Sequence, residues 1–564
     1  MGVIVKILLL PTAYNSLTQR THVELAYLGH EVSIELALND EVMVEAVELY
    51  KPDLIIAPFL KTAIPEKIWR NHTCIIIHPG IKGDRGPSSL DWAIATGVKE
   101  WGVTALQASA EFDAGDIWAS CDFQMRAATK SSLYRTEVTE AAIKAILETI
   151  EKFQNGWFVP EPFDYSRKDV KGCLRPYMKQ KNRAIDWKRD TISTIVKKIC
   201  SADSQPGLLD TIFGEHYYLY GASEEDTLRG NPGEIIAQRH GAICRAAVNG
   251  AVWISHLKKK TEEPSVKLPA AMVLGELLKD VPESPLPLEV PANHRTFKEI
   301  WYEQKNEVGY LHFDFYNGAM DTDQCQRLKE AFLYARSQQT KVIVLTGGQD
   351  FFSNGIHLNV IEAACDPALI SWHNINAMDD LVHEILATTT HLTIAAMQGN
   401  AAAGGVMLAL AADLVYARNG IVLNPHYKRM GLYGSEYWTY SLPKRVGKKK
   451  AAEITDTCMP MSTQVAQEIG LIDSCFGNDH LSFQIQIQLI AEEIAQSPDY
   501  KYKLNLKTQL QRLEDQFKPL VEFRIEELEH MKANFSEPNY HKLRYHFVHK
   551  ISLNETPLHL GLSK

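Results

Sequence analysis

The chemistry of this sequence starts at an imidazole. His78 closes the apolar run Cys74-Ile75-Ile76-Ile77, and a turn-rich loop follows with Pro79-Gly80 and Asp84-Arg85-Gly86-Pro87. Farther on, Glu111-Phe112-Asp113-Ala114-Gly115-Asp116 forms a tight acidic turn in which Gly115 is expected to take a positive φ. A carboxylate beside an imidazole orients the ring and raises its pKa, which suits proton transfer. A second constellation lies in the other half of the chain. Phe351-Phe352-Ser353-Asn354-Gly355-Ile356-His357-Leu358 is followed by Gln398-Gly399-Asn400-Ala401-Ala402-Ala403-Gly404-Gly405-Val406. A small-residue run that opens a helix exposes backbone N–H groups, and the helix dipole adds positive potential there. Two such N–H groups facing each other across a pocket form an oxyanion hole.

Alternating β-branched runs and helical patterns must position the first constellation. Strands are expected near Val5 to Leu10, Val32 to Ala37, Leu54 to Ala57, Cys74 to Ile77, Val103 to Gln107 and Ile117 to Phe123. That alternation predicts an α/β sheet with its ligands at the carboxyl ends of the strands, so His78 stands where such a site belongs. A smaller, mainly β unit is expected over 164–260, with strands at Tyr217 to Tyr220 and Gly233 to Ile236 and the run Ala242 to Ile254. Three lysines at 258–260 and six prolines from Pro264 to Pro291 mark 261–295 as a semi-rigid linker. Beyond it, a strand at Val308 to Phe315, a helix at Asp323 to Arg336 and a buried strand at Lys341 to Leu345 restart βαβ logic over 296–490. Helical patterning dominates 491–564 and predicts helices that cover the third domain or a partner subunit.

The 564 residues carry 45% hydrophobic and 23% charged side chains, which fits packed globular domains. A formal charge of -10 argues against a nucleic-acid partner, because such surfaces concentrate Lys and Arg. No run of 18 apolar residues predicts a membrane span. The apolar stretch at Val3 to Leu10 is broken by Lys6 and lacks the flank of a signal peptide, so it reads as a first strand. Nine cysteines without a CxxC pair suggest reduced thiols, no metal site and a cytoplasmic location.

Over residues 1–163 the order of His78, Arg85-Gly86, Gly102-Val103-Thr104 and Asp113-Ala114-Gly115-Asp116 resembles the 10-formyltetrahydrofolate-dependent formyltransferases, as does Leu28-Gly29-His30-Glu31-Val32. The resemblance implies a Rossmann-like domain with His78 and Asp113 catalytic. It also places a folate pocket near Phe59, Leu60 and Lys61. Ile76 stands where that family carries an asparagine, so a hydrogen-bond donor to a developing oxyanion is missing, typically about 3 kcal/mol of transition-state stabilisation. Arg175-Pro176-Tyr177 and Ala184-Ile185-Asp186-Trp187 resemble the junction to the small β-barrel, OB-like domain of the methionyl-tRNA type, and Ser204-Gln205 falls at that family's folate entrance.

The second constellation, with Gly431 and Arg445-Val446-Gly447-Lys448, resembles the crotonase or enoyl-CoA hydratase superfamily. That resemblance implies coenzyme A bound near Ser353, Gly355, Ile356, Gly404 and Gly405. Its oxyanion hole would come from the N–H groups of Ile356 and Gly404. Met407 and His426 replace the two glutamates of hydratases, so water addition is not expected. Glu436 is the preferred acid/base group on the loop after Gly431, with Tyr416, Tyr433 and Tyr437 as further polar candidates.

A multidomain α/β chain that joins a formyltransferase, a small β-domain and a crotonase resembles the hydrogenase maturation family HypX/HoxX. The resemblance implies formyl transfer from 10-formyltetrahydrofolate to coenzyme A, then decarbonylation of formyl-CoA to carbon monoxide for the iron of NiFe-hydrogenase. It also implies partners among the NiFe-hydrogenase maturation proteins. Two alternatives stay open on the residues: a formyl-CoA or formylfolate hydrolase releasing formate, and a degenerate crotonase that serves as a coenzyme A-binding or docking module.

Overall fold

Runs such as Leu54–Ala57 and Cys74–His78 lack alternation and must be covered on both faces. The computed structural model, which describes residues 3–551, places them in the middle of a six-strand sheet. Its spatial order is 31–34, 6–9, 54–57, 74–78, 100–107 and 117–124. The first four strands are parallel, and the last two join antiparallel. The helix Thr139–Gln154 covers one face with Ala142, Ala145 and Ile146 fully buried. His78 is the last residue of its strand, at the carboxyl edge.

After Gln154 the chain returns across this first domain instead of leaving it. Glu161 pairs with Ile117, Leu174 pairs with Arg85 and the Met178 N–H donates to Ser88 Oγ, so the opening stretch of the segment assigned by sequence to the second unit packs on the first. The β-unit itself is an antiparallel sheet in the order 208–212, 215–225, 250–259, 242–247, 235–239. The apolar run Ala242 to Ile254 divides into two of these strands.

The proline-rich stretch is not a spacer. Leu268–Pro269 pairs with strand 250–259, the Gln238 N–H donates to the Pro282 carbonyl at 2.9 Å, and the Ser284 N–H donates to the Gln238 carbonyl at 2.9 Å. Proline lacks a donor but keeps its acceptor, so a proline-rich strap can still dock on a sheet edge.

The third domain holds a six-strand sheet in the order 300–305, 308–313, 342–346, 392–397, 414–418, 474–476, and a four-strand sheet of 351–353, 400–402, 422–424 and 461–462. Its core continues into the terminal helices. Leu528, Met531, Phe535 and Tyr540 are buried with Leu345, Met397, Met407 and Tyr437 in one cluster. The helix Leu520–Phe535 is therefore integral to this domain. The first and third domains touch through Arg135 and Asp350 at 3.1 Å and through Arg418 and Glu140 at 3.0 Å. Tyr316 of the third domain donates to Asp203 at 2.6 Å. No helix among the described residues is long and apolar enough to cross a membrane.

Candidate active sites

At the edge of the first sheet, His78 is buried between two carboxylates. Its Nε2 lies 3.2 Å from Asp84 Oδ2, and its Nδ1 lies 3.4 Å from Asp113 Oδ1. The two acids differ in how they are held. The Asp84 side chain is fully buried, accepts from Arg175 Nε at 2.8 Å and takes a short hydrogen bond from the Ser89 hydroxyl. Asp113 is partly open, and its Oδ2 accepts the Gly86 N–H at 3.2 Å. Burial alone would lower the pKa of His78. The hydrogen bonds and charges of Asp113 and Asp84 outweigh it and raise the value to about 9. Burial would raise Asp113, but the His78 hydrogen bond and charge, with the Gly86 N–H, leave it below the ordinary carboxylate range.

Asp84 is a site residue that sequence reasoning missed. In the sequence, the loop Asp84-Arg85-Gly86-Pro87 shows only turn chemistry. The acidic turn also differs from expectation. Asp113, not Gly115, holds the left-handed conformation, with φ 53°, which a short polar side chain tolerates. Gly115 is required for another reason, since a Cβ there would stand 1.7 Å from the Gln107 carbonyl oxygen.

A cavity beside this dyad is lined by Trp69, Ile76, Leu106, Phe112 and Asp113. Leu60 packs with Trp69 and Ile76 in the neighbouring apolar cluster. Phe59 turns elsewhere, edge-on to Tyr134 at 5.8 Å. Ser204 and Gln205 lie at the seam with the third domain. Lys130 donates there to the Gln205 carbonyl at 2.6 Å, and the neighbouring Asp203 meets Tyr316.

In the third domain the two expected segments do meet. The helix Gly404–Leu410 starts after Ala403, whose φ is 48°, so the Gly404 N–H has no intrahelical acceptor. Gly355, at φ 75°, approaches so closely that a Cβ on it would lie 3.3 Å from the Gly404 nitrogen. Ser353 supports this loop and does not face outward. It is fully buried, and its Oγ accepts the Gly355 N–H at 3.1 Å. Gly405 is likewise a packing residue, because its Cβ would stand 2.0 Å from the Ser353 carbonyl oxygen.

Glu436 closes this site. A Cβ on Gly404 would lie 2.0 Å from Glu436 Oε1, so the carboxyl rests against the glycine's Cα. It is 4% exposed, and burial pushes its pKa well above the carboxylate range, reinforced by the charges of Asp379 and Glu527. Tyr416 is not brought here. Its neighbours Val415 and Ala417 point into the cluster that holds Met407 and Tyr437, whereas its own ring packs on Phe476 at 5.6 Å beneath the helix His480–Gln496. Strand alternation therefore assigns it to the opposite face of the sheet. Tyr433 stacks on His530 at 4.2 Å. His426 is held neutral by burial, and its Nδ1 donates to the Asn424 carbonyl at 2.7 Å. Neither it nor the fully buried Met407 offers a hydratase carboxylate.

Among the described residues, one group outside these sites has metal-ligating types, Glu225, Asp226 and His294. Both Glu225 oxygens are already taken by donors from Thr227, Leu228, Trp253 and Thr296.

Family models match the chain in three places: Formyl transferase over residues 18–150, Formyl transferase, C-terminal domain, over 177–266, and Enoyl-CoA hydratase/isomerase over 303–553. The chain is 46% identical over 556 residues to the hydrogenase maturation factor HoxX of Bradyrhizobium diazoefficiens, covering 98% of this chain and 96% of that one. It matches the crystal structure of HypX from Aquifex aeolicus in complex with tetrahydrofolic acid at 46% identity and a TM-score of 0.96, over 100% of this chain and 99% of the other. A methionyl-tRNA formyltransferase of Geobacter metallireducens is 27% identical over 221 residues, 39% of this chain and 69% of the enzyme.

Proposed function

This chain belongs to the HoxX/HypX family of hydrogenase maturation factors, and we propose from that premise that it moves a formyl group from 10-formyltetrahydrofolate to coenzyme A and then releases it as carbon monoxide. The observation that carries the reading is Glu436, a buried carboxyl against the Cα of Gly404 in a crotonase-type site that lacks both hydratase acids.

In the first step the thiol sulfur bonds to the formyl carbon, the bond from that carbon to the folate nitrogen breaks, and the thiol proton ends on that nitrogen. A thiol, with an ordinary pKa near 8.5, ionises more readily than an alcohol. Asp84 orients the His78 ring from the buried side, leaving Asp113 and Nδ1 toward the cavity. His78 holds its own proton up to about pH 9 and its charge makes Asp113 a weak base, so the thiol proton passes to the folate nitrogen as the carbon–nitrogen bond breaks, while Asp113 orients the charged ring. The His78 cation then opposes negative charge on the formyl oxygen, a role in which it replaces the donor lost at Ile76. The apolar cavity along Trp69, Ile76 and Leu106 suits the flat folate ring. The tetrahydrofolate complex of the Aquifex relative supports a folate ligand here.

In the second step the formyl hydrogen leaves as a proton to Glu436, the carbon–sulfur bond breaks, and the thiolate takes the proton back, giving carbon monoxide and free coenzyme A. A carboxyl in a dry pocket has the raised pKa this shuttle needs. N–H groups at Ile356 and Gly404 would hold the carbonyl oxygen.

Two variants separate the steps. His78→Ala should lose formyl transfer by about 10²- to 10⁴-fold, yet still release carbon monoxide from supplied formyl-CoA. Glu436→Gln should do the reverse and accumulate formyl-CoA. Wild-type carbon monoxide release by Glu436→Gln would remove the second half of the reading.

A further inference from the structure

Glu436 does not stand alone in its dry volume. Asp379, from the helix Pro367–Leu386, and Glu527, from the helix Leu520–Phe535, are both 0% exposed and converge on the same turn. The Ser435 hydroxyl lies 3.0 and 2.9 Å from the two Asp379 oxygens and 3.4 Å from Glu527 Oε2. Asp379 Oδ1 also accepts the Glu436 N–H at 2.9 Å, and Glu527 Oε2 accepts the Tyr437 N–H at 2.9 Å. Glu527 Oε1 takes the Thr439 N–H at 2.8 Å and the Thr439 hydroxyl. These carboxylates clamp two consecutive residues in the left-handed region, Glu436 at φ 60° and Tyr437 at φ 58°. Non-glycine residues persist there only when their surroundings enforce it.

A backbone clamp needs acceptors, not charge. Amides or carbonyls would hold the same N–H groups without burying three acids around one partly shared cation. Arg524 is that cation, with Nε 3.9 Å from Asp379 Oδ2 and Nη1 2.8 Å from Asp380. Other titratable groups acting on Glu436 or its partners are Asp380, whose charge adds to that on Asp379 and which is paired with Arg524, and Tyr427, Tyr433, Tyr437 and Cys325, which burial keeps neutral. One hydroxyl can donate to only one of the two acids it bridges. Burial and like charge then favour a proton shared within the cluster.

We propose that Asp379 and Glu527, bridged by Ser435, are positioning residues for the second reaction: they fix the Glu436 carboxyl against Gly404 and, as like charges, make it a stronger proton acceptor. The inference rests on Glu436 as the proton carrier. It makes the terminal helix 520–535 a working wall of the site, consistent with the burial of Asp379 and Glu527, whose pKa values burial raises to about 7 and about 8.

The test supplies formyl-CoA to the full chain carrying Glu527→Gln or Asp379→Asn and follows carbon monoxide release from about pH 5.5 to pH 9, the range over which a buried acid titrates. Each variant removes an acid whose ionisation, above about pH 7 for Asp379 and about pH 8 for Glu527, opposes that of Glu436. The expected result is kcat lowered about tenfold through looser positioning, KM little changed, and the acid limb of kcat displaced to lower pH by about one unit. The variants lie on different helices, so either one that folds, judged by retained formyl transfer at the first site, decides. An unchanged rate and pH profile overturns the proposal. A lower kcat with the acid limb in its wild-type place also overturns it, since that is the mark of a structural prop. Glu436→Gln runs in the same assay: if it is inactive, the reading of Glu436 stands whatever the other variants do, and if it is fully active, that reading and this inference fall together.

Discussion

Replacing Asp84 by Asn tests the arrangement around His78 most sharply. The two carboxylates hold the His78 pKa at about 9 against an ordinary value of 6.5, a preference for the charged ring of about 3 kcal/mol at 1.36 kcal/mol per unit. Because the folded value is raised, this stabilisation is fully present below pH 6.5 and is lost as pH rises through about 9. Asp84 is the more buried acid and the nearer to a ring nitrogen, at 3.2 Å against 3.4 Å. We assign it about half of the effect, so Asp84→Asn should lower the His78 pKa by about one unit or more and cost about 1–2 kcal/mol below pH 6.5. The loss is compounded at Arg175, whose Nε keeps an amide oxygen in place of a carboxylate. Denaturant unfolding from pH 5.5 to pH 10 should show the wild-type loss of stability centred between pH 6.5 and 9, with its upper end about one unit lower in the variant. Formylfolate consumption should fall with it, as the ring loses its orientation. Identical curves for wild type and Asp84→Asn, together with unchanged turnover, would refute the assignment of Asp84 as the orienting acid.

Gly404→Ala should abolish carbon monoxide release while sparing formyl transfer, because its methyl would stand 2.0 Å from Glu436 Oε1; separate assays of the two steps check this. Tyr416→Phe should leave carbon monoxide output unchanged, since the ring packs on Phe476 across the sheet from Glu436; a rate loss beyond about tenfold would return it to the mechanism. Restoring hydratase acids with Met407→Glu and His426→Glu should give no efficient crotonyl-CoA hydration. It should also destabilise the fold by about 3 kcal/mol or more, because Met407 is fully buried in an apolar cluster where a new carboxylate would be desolvated; thermal melting and hydration assays read the two effects.

Local order carried much of this architecture in the sequence. The strands Leu54–Ala57 and Cys74–His78 announce themselves as unbroken apolar runs, and His78 could be placed at a strand end from its neighbours alone. What escaped was set by distant contacts. Asp84 becomes an orienting acid only because Arg175 and Ser89 fold onto it. The strap 261–295 resembles a spacer in composition, yet the bonds of Gln238 to Pro282 and Ser284 dock it. Asp379 and Glu527 lie about 150 residues apart in helices that look ordinary, and only tertiary packing brings both to Ser435. Tyr416 shows the converse. Its position on a strand was legible, but a one-residue difference in which face is presented decides between site and core.

In the proposed reaction one chain carries a formyl carbon through both sites to carbon monoxide. The direct measurement gives the purified chain ¹³C-formyl-labelled 10-formyltetrahydrofolate and coenzyme A under a haem-protein trap and follows the label. The expected result is labelled carbon monoxide on the haem, dependent on coenzyme A, with labelled formyl-CoA accumulating in its place in the Glu436→Gln variant. Label recovered as formate, with none on the haem, would contradict it.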